Sequence, residues 1–190
     1  TVAAALGIEL AVADLRGEMA AIIEYFVEEY AAGRTPNPCI RCNRRLKFGR
    51  LLQLARERGA RYLATGHYAR RVEVAGRPRL ARAIARGKDQ SYVLFGIDPA
   101  DLGSVLFPNG ERRGKDETRA LAREWGLPVY AKAESQEICF IPDNDYGGFL
   151  ARRLGEAAAR PGPIVDLAGR VLGEHRGIHR YTIGQRRGLR

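Results

Sequence analysis

Apolar residues recur at Met19, Ile22, Ile23, Phe26, Val27 and Tyr30, the spacing of one helical face, while Glu18, Glu24, Glu28 and Glu29 fall mostly on the other side. The spacing predicts an amphipathic helix from Met19. Ahead of it, Ile8 to Val12 is a short, mostly apolar run after Gly7 and reads as a buried strand. Gly33 to Pro38 breaks the helix by Gly and Pro chemistry. A second helical face follows in Phe48, Leu51, Leu52 and Ala55, with Asn43 as the expected cap and Gly59 as a left-handed stop. Tyr62 to Ala64 then reads as another strand. Strand, helix, loop, helix, strand is the pattern of a parallel sheet covered by helices, so the fold class expected is α/β. Ligands of such sheets sit where strands end and loops begin, which points to Thr65 to Tyr68.

Tyr68 to Val74 and Pro78 to Ile84, joined by Ala75, Gly76 and Arg77, predict a hairpin, and Gln90 to Phe95 a short helix. A further helix is expected over Asp116 to Trp125, capped by Asp116 and stopped by Gly126. Beyond Asp143 the texture changes. Pro161, Gly162, Pro163, Gly169, Gly173 and Gly177 cut the chain into pieces suited to strands and turns. A boundary is therefore expected near residues 145–150, with one domain over 1–147 and a smaller one over 148–190.

Composition narrows the function classes. The 190 residues are 45% hydrophobic, enough to bury one or two modest cores, and no apolar run approaches the roughly 20 residues of a membrane helix. No basic and apolar leader stands at the start. A cytoplasmic protein without membrane partners is expected. Thr1 in place of Met, and a basic, Gly-containing end at Gln185 to Arg190, predict a segment of a longer protein. Lys and Arg total 32 against 22 Asp and Glu, a formal charge of +10 that favours a polyanion. The basic residues are nearly all Arg, with only Lys47, Lys88, Lys115 and Lys132 as lysines, so a bias of genome composition is an alternative source of the charge.

Three cysteines, Cys39, Cys42 and Cys139, are too few and odd in number for a secreted disulfide framework. Cys39 and Cys42 form a C-x-x-C in TPNPCIRCN, before a helix whose first N–H groups would favour an anionic sulfur. Half of a zinc site, a redox pair and part of an iron–sulfur ligand set all stay open on that spacing. Cys139 lies in ESQEICFI, where the polar residues ahead of it favour an exposed, working thiol over a buried inert one. Gly66 and His67 in ATGHYAR follow a strand end, where Gly admits a ligand to the backbone and His can donate to a phosphate or base. Lys88, Asp89 and Gln90 offer a point charge and an amide for a base edge, or simply a solvated loop.

TPNPCIRCNRRLKFGRLL, ATGHYAR, KDQSYVLF, ESQEICFIPDNDYGGFL and PGPIVDLAGRVLGEHRGIHRYTIGQRRGL together resemble, in order and separation, the motifs of the bacterial tRNA-specific 2-thiouridylases. The resemblance runs from Thr35 almost to the end. It implies a partial adenine-nucleotide α-hydrolase-like, Rossmann-like parallel-sheet domain, followed by a small central tRNA-binding domain. It implies ATP-dependent sulfur transfer to C2 of the wobble uridine of tRNA, with ATP and Mg, an adenylated uridine and a cysteine persulfide. The implied partners are tRNA acceptors for Lys, Glu and Gln and a persulfide sulfur donor protein.

By the same resemblance Cys42 matches the first catalytic cysteine, Cys139 the persulfide carrier and Gly66 an ATP contact. Asn37, Pro38 and Cys39 match the target-base segment, and His67, Lys88, Asp89 and Gln90 match tRNA contacts. Cys39 departs from members that carry Asp there. Three thiolates at Cys39, Cys42 and Cys139 are compatible with an iron–sulfur cluster, which their number favours over a Cys42 to Cys139 disulfide alternating with the persulfide. The family's Ser-Gly-Gly pyrophosphate loop and its C-terminal β-barrel are missing from these residues, so the segment alone is expected to be inactive. The rival expectation is a basic, zinc-binding nucleic-acid module without catalysis.

Overall fold

The structure is a computed structural model that describes residues 2–131, 138–155 and 160–188. Packing divides the chain into two compact units, one of Thr1–Glu18 with Cys39–Glu134 and one of Met19–Pro38 with Ser135–Arg190. The boundaries expected from the sequence follow chain order, whereas these units follow packing and put Met19–Pro38 with the C-terminal residues.

In the first unit a short helix, α1 (Val2–Leu6), leads into residues 8–15, which form neither helix nor strand. Ile8, Leu10 and Val12 are 60%, 63% and 85% exposed, so the buried strand expected there does not form. A strand needs an edge to receive its N–H and C=O groups, and among the described residues no strand pairs with this run. Past α2 (Arg16–Ala31), which lies mostly in the other unit, comes a continuous helical stretch in three parts: α3 (Pro38–Arg41), of which Pro38 falls in the other unit, a π-helix (Cys42–Leu51) and α4 (Leu52–Glu57). In the wide turn the Leu52 N–H reaches the Lys47 carbonyl five residues back as well as that of Gly49. Gly59, at φ 76°, ends the stretch as expected.

Strand β1 (Leu63–Ala64) lies parallel to β4 (Val105–Leu106), pairing Leu63 with Val105 and Ala64 with Leu106. Between them, β2 (Ala69–Val74) and β3 (Arg77–Arg82) form an antiparallel hairpin. Its turn is only Ala75 and Gly76, both at positive φ (50° and 70°), the conformation that matches strand twist in two-residue hairpins. Phe48, Ala69, Val93, Leu94, Ile97, Leu102, Val105 and Phe107 form the core of this unit, with Ile40, Leu63 and Leu80 packed against it. The short helix expected over Gln90 to Phe95 is a single 3-10 turn, Ser91–Val93. Helix α5 (Lys115–Glu124) begins after Gly114, so Asp116 stands in its first turn and is not the cap, and Gly126 stops it at φ 63°.

The second unit holds most of α2 (Arg16–Ala31), whose Ile22, Phe26 and Tyr30 are buried as the periodicity requires. Phe26 and Tyr30 pack with Ile141 and Leu150, and the rings of Phe140 and Phe149 stand 5.4 and 6.2 Å from that of Phe26 in edge-on arrangements. Leu150 belongs to α6 (Tyr146–Leu154), a helix that the sequence reading passed over. Its signals are Asp145, whose carboxylate accepts from the Gly148 N–H at 2.8 Å, and Gly155 at its end. A last hairpin pairs β5 (Gly162–Val165) with β6 (Val171–His175).

Candidate functional site

The parallel strand β1 ends in the loop Thr65, Gly66, His67, where the α/β pattern places a ligand. Thr65 prolongs the parallel ladder by donating its N–H to the Leu106 carbonyl at 3.0 Å. The Gly66 carbonyl accepts from Asn109 Nδ2 at 3.0 Å, and a Cβ built on Gly66 would meet only that amide, at 3.7 Å. The backbone of Gly66 is thus held from one side and open on the other, as a nucleotide contact needs.

His67 is buried, 8% exposed, between the rings of Phe48 and Phe107. Its Nε2 lies 3.4 Å from Lys47 Nζ and its Nδ1 2.9 Å from Thr65 Oγ1. An ammonium only donates, so Nε2 accepts and the ring proton sits on Nδ1, donated to the threonine hydroxyl. Burial, and next the Lys47 charge, push His67 down to a pKa of about 4. The ring is neutral at physiological pH, and what it presents to Lys47 is a lone pair.

Asp89 and Gln90 turn inward. Gln90 accepts the Tyr68 N–H on Oε1 at 3.0 Å, while its own N–H returns to the Tyr68 carbonyl at 2.8 Å. Asp89 takes the Ala83 N–H and the Ser91 hydroxyl, each at 2.8 Å, and Arg82 Nε at 3.4 Å. Burial pushes its carboxyl up, but these hydrogen bonds and the Arg82 charge outweigh that and hold it below the ordinary value. Lys88 alone of the triplet is exposed.

Cys39 is exposed in the first turn of α3 and Cys42, half-buried, opens the π-helix, so the C-x-x-C lies inside the helical stretch and not before it. The start signal is Asn37 followed by Pro38, because proline at the first helical position has a preset φ and no N–H to lose. Asn43 is therefore no cap: it is 2% exposed and donates Nδ2 to the Val93 carbonyl at 3.1 Å. Asn37 is exposed and Pro38 buried, both in the second unit with Cys139, which is exposed on a turn. Glu134 to Glu137, the polar residues that suggested a working thiol, lie outside the described residues.

No disulfide joins the cysteines. Among the described residues no group of three or more His, Cys, Asp or Glu side chains is gathered to hold a metal ion. Among them, too, no helix is long and apolar enough to cross a membrane. Sequence reasoning missed Lys47, whose signal was its place five residues after Cys42, and Asn109, which had none beyond a turn-like Pro-Asn-Gly.

The sequence model of the tRNA methyl transferase HUP domain matches residues 1–143, and that of the tRNA methyl transferase PRC-barrel domain matches residues 147–190. Among curated proteins, the tRNA-specific 2-thiouridylase MnmA of Desulforamulus reducens is 54% identical over 170 residues, 88% of this chain and 46% of its own length. That of Syntrophotalea carbinolica is 53% identical over 185 residues, 97% of this chain and 52% of its own. That of Methylorubrum populi is 55% identical over 170 residues, 89% and 44%. The chain spans about half the length of the curated relatives it matches.

Proposed function

Since the chain belongs to the tRNA methyl transferase HUP-domain family, with the α/β fold of that domain and a small PRC-barrel segment behind it, we propose that it is part of a tRNA-specific 2-thiouridylase. The observation that carries this is the identity of 53 to 55% to proteins named for that activity. The family description speaks of methyl transfer, but thiols at Cys42 and Cys139 suit sulfur chemistry.

In this reading residues 1–147 supply the catalytic domain and 148–190 a tRNA-binding domain. The substrate is the wobble uridine of tRNA for Lys, Glu or Gln, and the work is done in the cytoplasm. ATP, with Mg, supplies when bound the adenylate that turns uridine O2 into a leaving group, and Gly66 offers it an open backbone. Cys139, exposed, takes the terminal sulfur from a donor protein's persulfide, and the donor leaves as a thiolate. The Cys139 persulfide attacks C2 of the uridine, and AMP leaves with O2. Attack of the Cys42 thiolate on the Cys139 sulfur then frees the new thiocarbonyl and leaves a disulfide, which a thiol reductant returns to two thiols. Asn37, Pro38 and Cys39 border the target base, and His67, Lys88, Asp89 and Gln90 the tRNA, with Lys88 the exposed cation among them.

The test is nucleoside mass spectrometry of tRNA treated with the complete protein that carries this chain, ATP and a persulfide donor. Oxygen replaced by sulfur at C2 is expected, lost in Cys139→Ser and Cys42→Ser while tRNA binding persists. A methyl group added instead, or normal 2-thiouridine from either variant, overturns the reading.

A further inference from the structure

The π-helix and the loop after β1 bring a fixed cation and an open backbone together. Lys47 stands five residues after Cys42 on the π-helix, where the i→i+5 bond sets such residues about one turn apart. Its Nζ lies 3.4 Å from Nε2 of His67, the residue after Gly66. That ring is held between Phe48 and Phe107, with Nδ1 2.9 Å from Thr65 Oγ1. The ammonium is thus aimed by a neutral ring, which accepts one of its protons and offsets none of its charge. Thr65 Oγ1 accepts from the same ring and keeps its own proton for a further acceptor.

The segments that build this corner hold almost no negative charge. The helical stretch Pro38–Glu57 carries one acid, Glu57, and that carboxylate lies 3.6 Å from Arg50 Nη1. Residues 60–72 and 105–110, which supply β1, its loop, His67 and β4, carry none. Among the described residues Lys47 joins no ion pair. A half-buried ammonium fixed in this way favours an anion beside it, because the ordering a free lysine loses on binding has already been lost in folding. Gly66, next to His67, has its backbone open on the side away from Asn109, so the anion that fits is the phosphate of a nucleotide on that loop.

We propose that Lys47 is a further catalytic residue of the sulfur transfer, the cation that takes up the charge of the departing AMP, and that His67 is its positioning residue. The phosphorus of the adenylated uridine is a diester with a single negative charge. As sulfur bonds to C2, the C2–O2 bond breaks, its electron pair leaves on O2, and AMP departs as a monoester with a second charge. That charge develops in the transition state, so an ammonium already in place lowers the barrier more than it tightens substrate binding. The step belongs to the function proposed above; the contact between Lys47 and a nucleotide phosphate rests on the geometry.

The experiment titrates AMP, with adenosine as the phosphate-free control, into the complete protein and its variants by calorimetry. Lys47→Met is expected to weaken AMP binding about tenfold and leave adenosine unchanged, with Lys47→Arg in between. His67→Phe keeps a ring between Phe48 and Phe107 but has no acceptor, and should lose part of the AMP affinity; His67→Gln, with an amide oxygen, should restore it. Single-turnover thiolation at saturating ATP should slow about a hundredfold in Lys47→Met. Equal AMP affinity in wild type and Lys47→Met overturns the assignment, as does a loss shared equally by adenosine or a wild type that binds no AMP. Unchanged AMP affinity with alkylation of Cys42 shifted to higher pH overturns it too, and makes Lys47 a partner of the thiol. A protein whose AMP binding depends on Lys47 yet never forms 2-thiouridine keeps the phosphate contact and overturns the function.

Discussion

Lys47 and His67 meet tip to tip, the ammonium nitrogen 3.4 Å from Nε2 of a ring that is buried and neutral. His67 is thereby a device for aiming a cation: the ring lone pair fixes where the Lys47 charge stands, on the helix that carries Cys42 and beside the loop of Gly66.

The pair makes stability pH-dependent. The pKa of His67 falls from an ordinary 6.5 to about 4 on folding, so between those values the unfolded chain binds the extra proton. Stability is full above about pH 6.5 and declines as pH falls towards 4, by up to about 3 kcal/mol. Denaturant titrations across that window should show the decline in the wild type and a flatter profile in His67→Gln. An equally steep profile in the variant would assign the dependence to another group.

Gly110 approaches the backbone of the hairpin so closely that an added Cβ would overlap the Ala69 carbonyl. Gly110→Ala should destabilise the first unit by about 2 kcal/mol and loosen the neighbouring bond from Asn109 to Gly66. Gly103 has nothing within 4 Å of its Cβ position and no positive φ, so Gly103→Ala should be neutral or stabilising by a few tenths of a kcal/mol. Urea midpoints of the two variants check the contrast, which equal effects would contradict.

Asp145 caps α6 through the Gly148 N–H. Asp145→Ala should cost about 1 kcal/mol and Asp145→Asn less, since an amide oxygen also caps. Hydrogen exchange of the Gly148 amide is the local readout. Protection unchanged in Asp145→Ala would show that the cap contributes nothing.

Cys39 and Cys42 should differ in the complete protein. Cys39, exposed in the first helical turn, has no step in the sulfur transfer proposed above, whereas Cys42 completes it, so Cys39→Ser is expected to keep most thiolation activity while Cys42→Ser loses it. Iron bound by anaerobically prepared wild-type protein, and lost with activity in Cys39→Ser, would restore the cluster that the count of cysteines favoured.

The sequence by itself determined what depends on one element at a time. The stripe of α2, the left-handed stops at Gly59 and Gly126, and the Ala75–Gly76 turn were all legible, because each is set by residues within a turn or two of one another. The motif strings were legible too, and they single out Cys42, Cys139 and Gly66. Tertiary structure decided the rest. Ile8 to Val12 has the composition of a strand but, among the described residues, no strand pairs with it. Asn43, polar enough to cap, is drawn inward by a carbonyl fifty residues away. Asp89 and Gln90, matched by the motif to tRNA contacts, also hold Ala83 and Tyr68, partners that no local signal announces. The partner of Lys47 could not be read locally either, because twenty residues separate it from His67. Periodicity says which face of an element is apolar, but which polar groups meet across elements is decided only when folding brings them within range of one another.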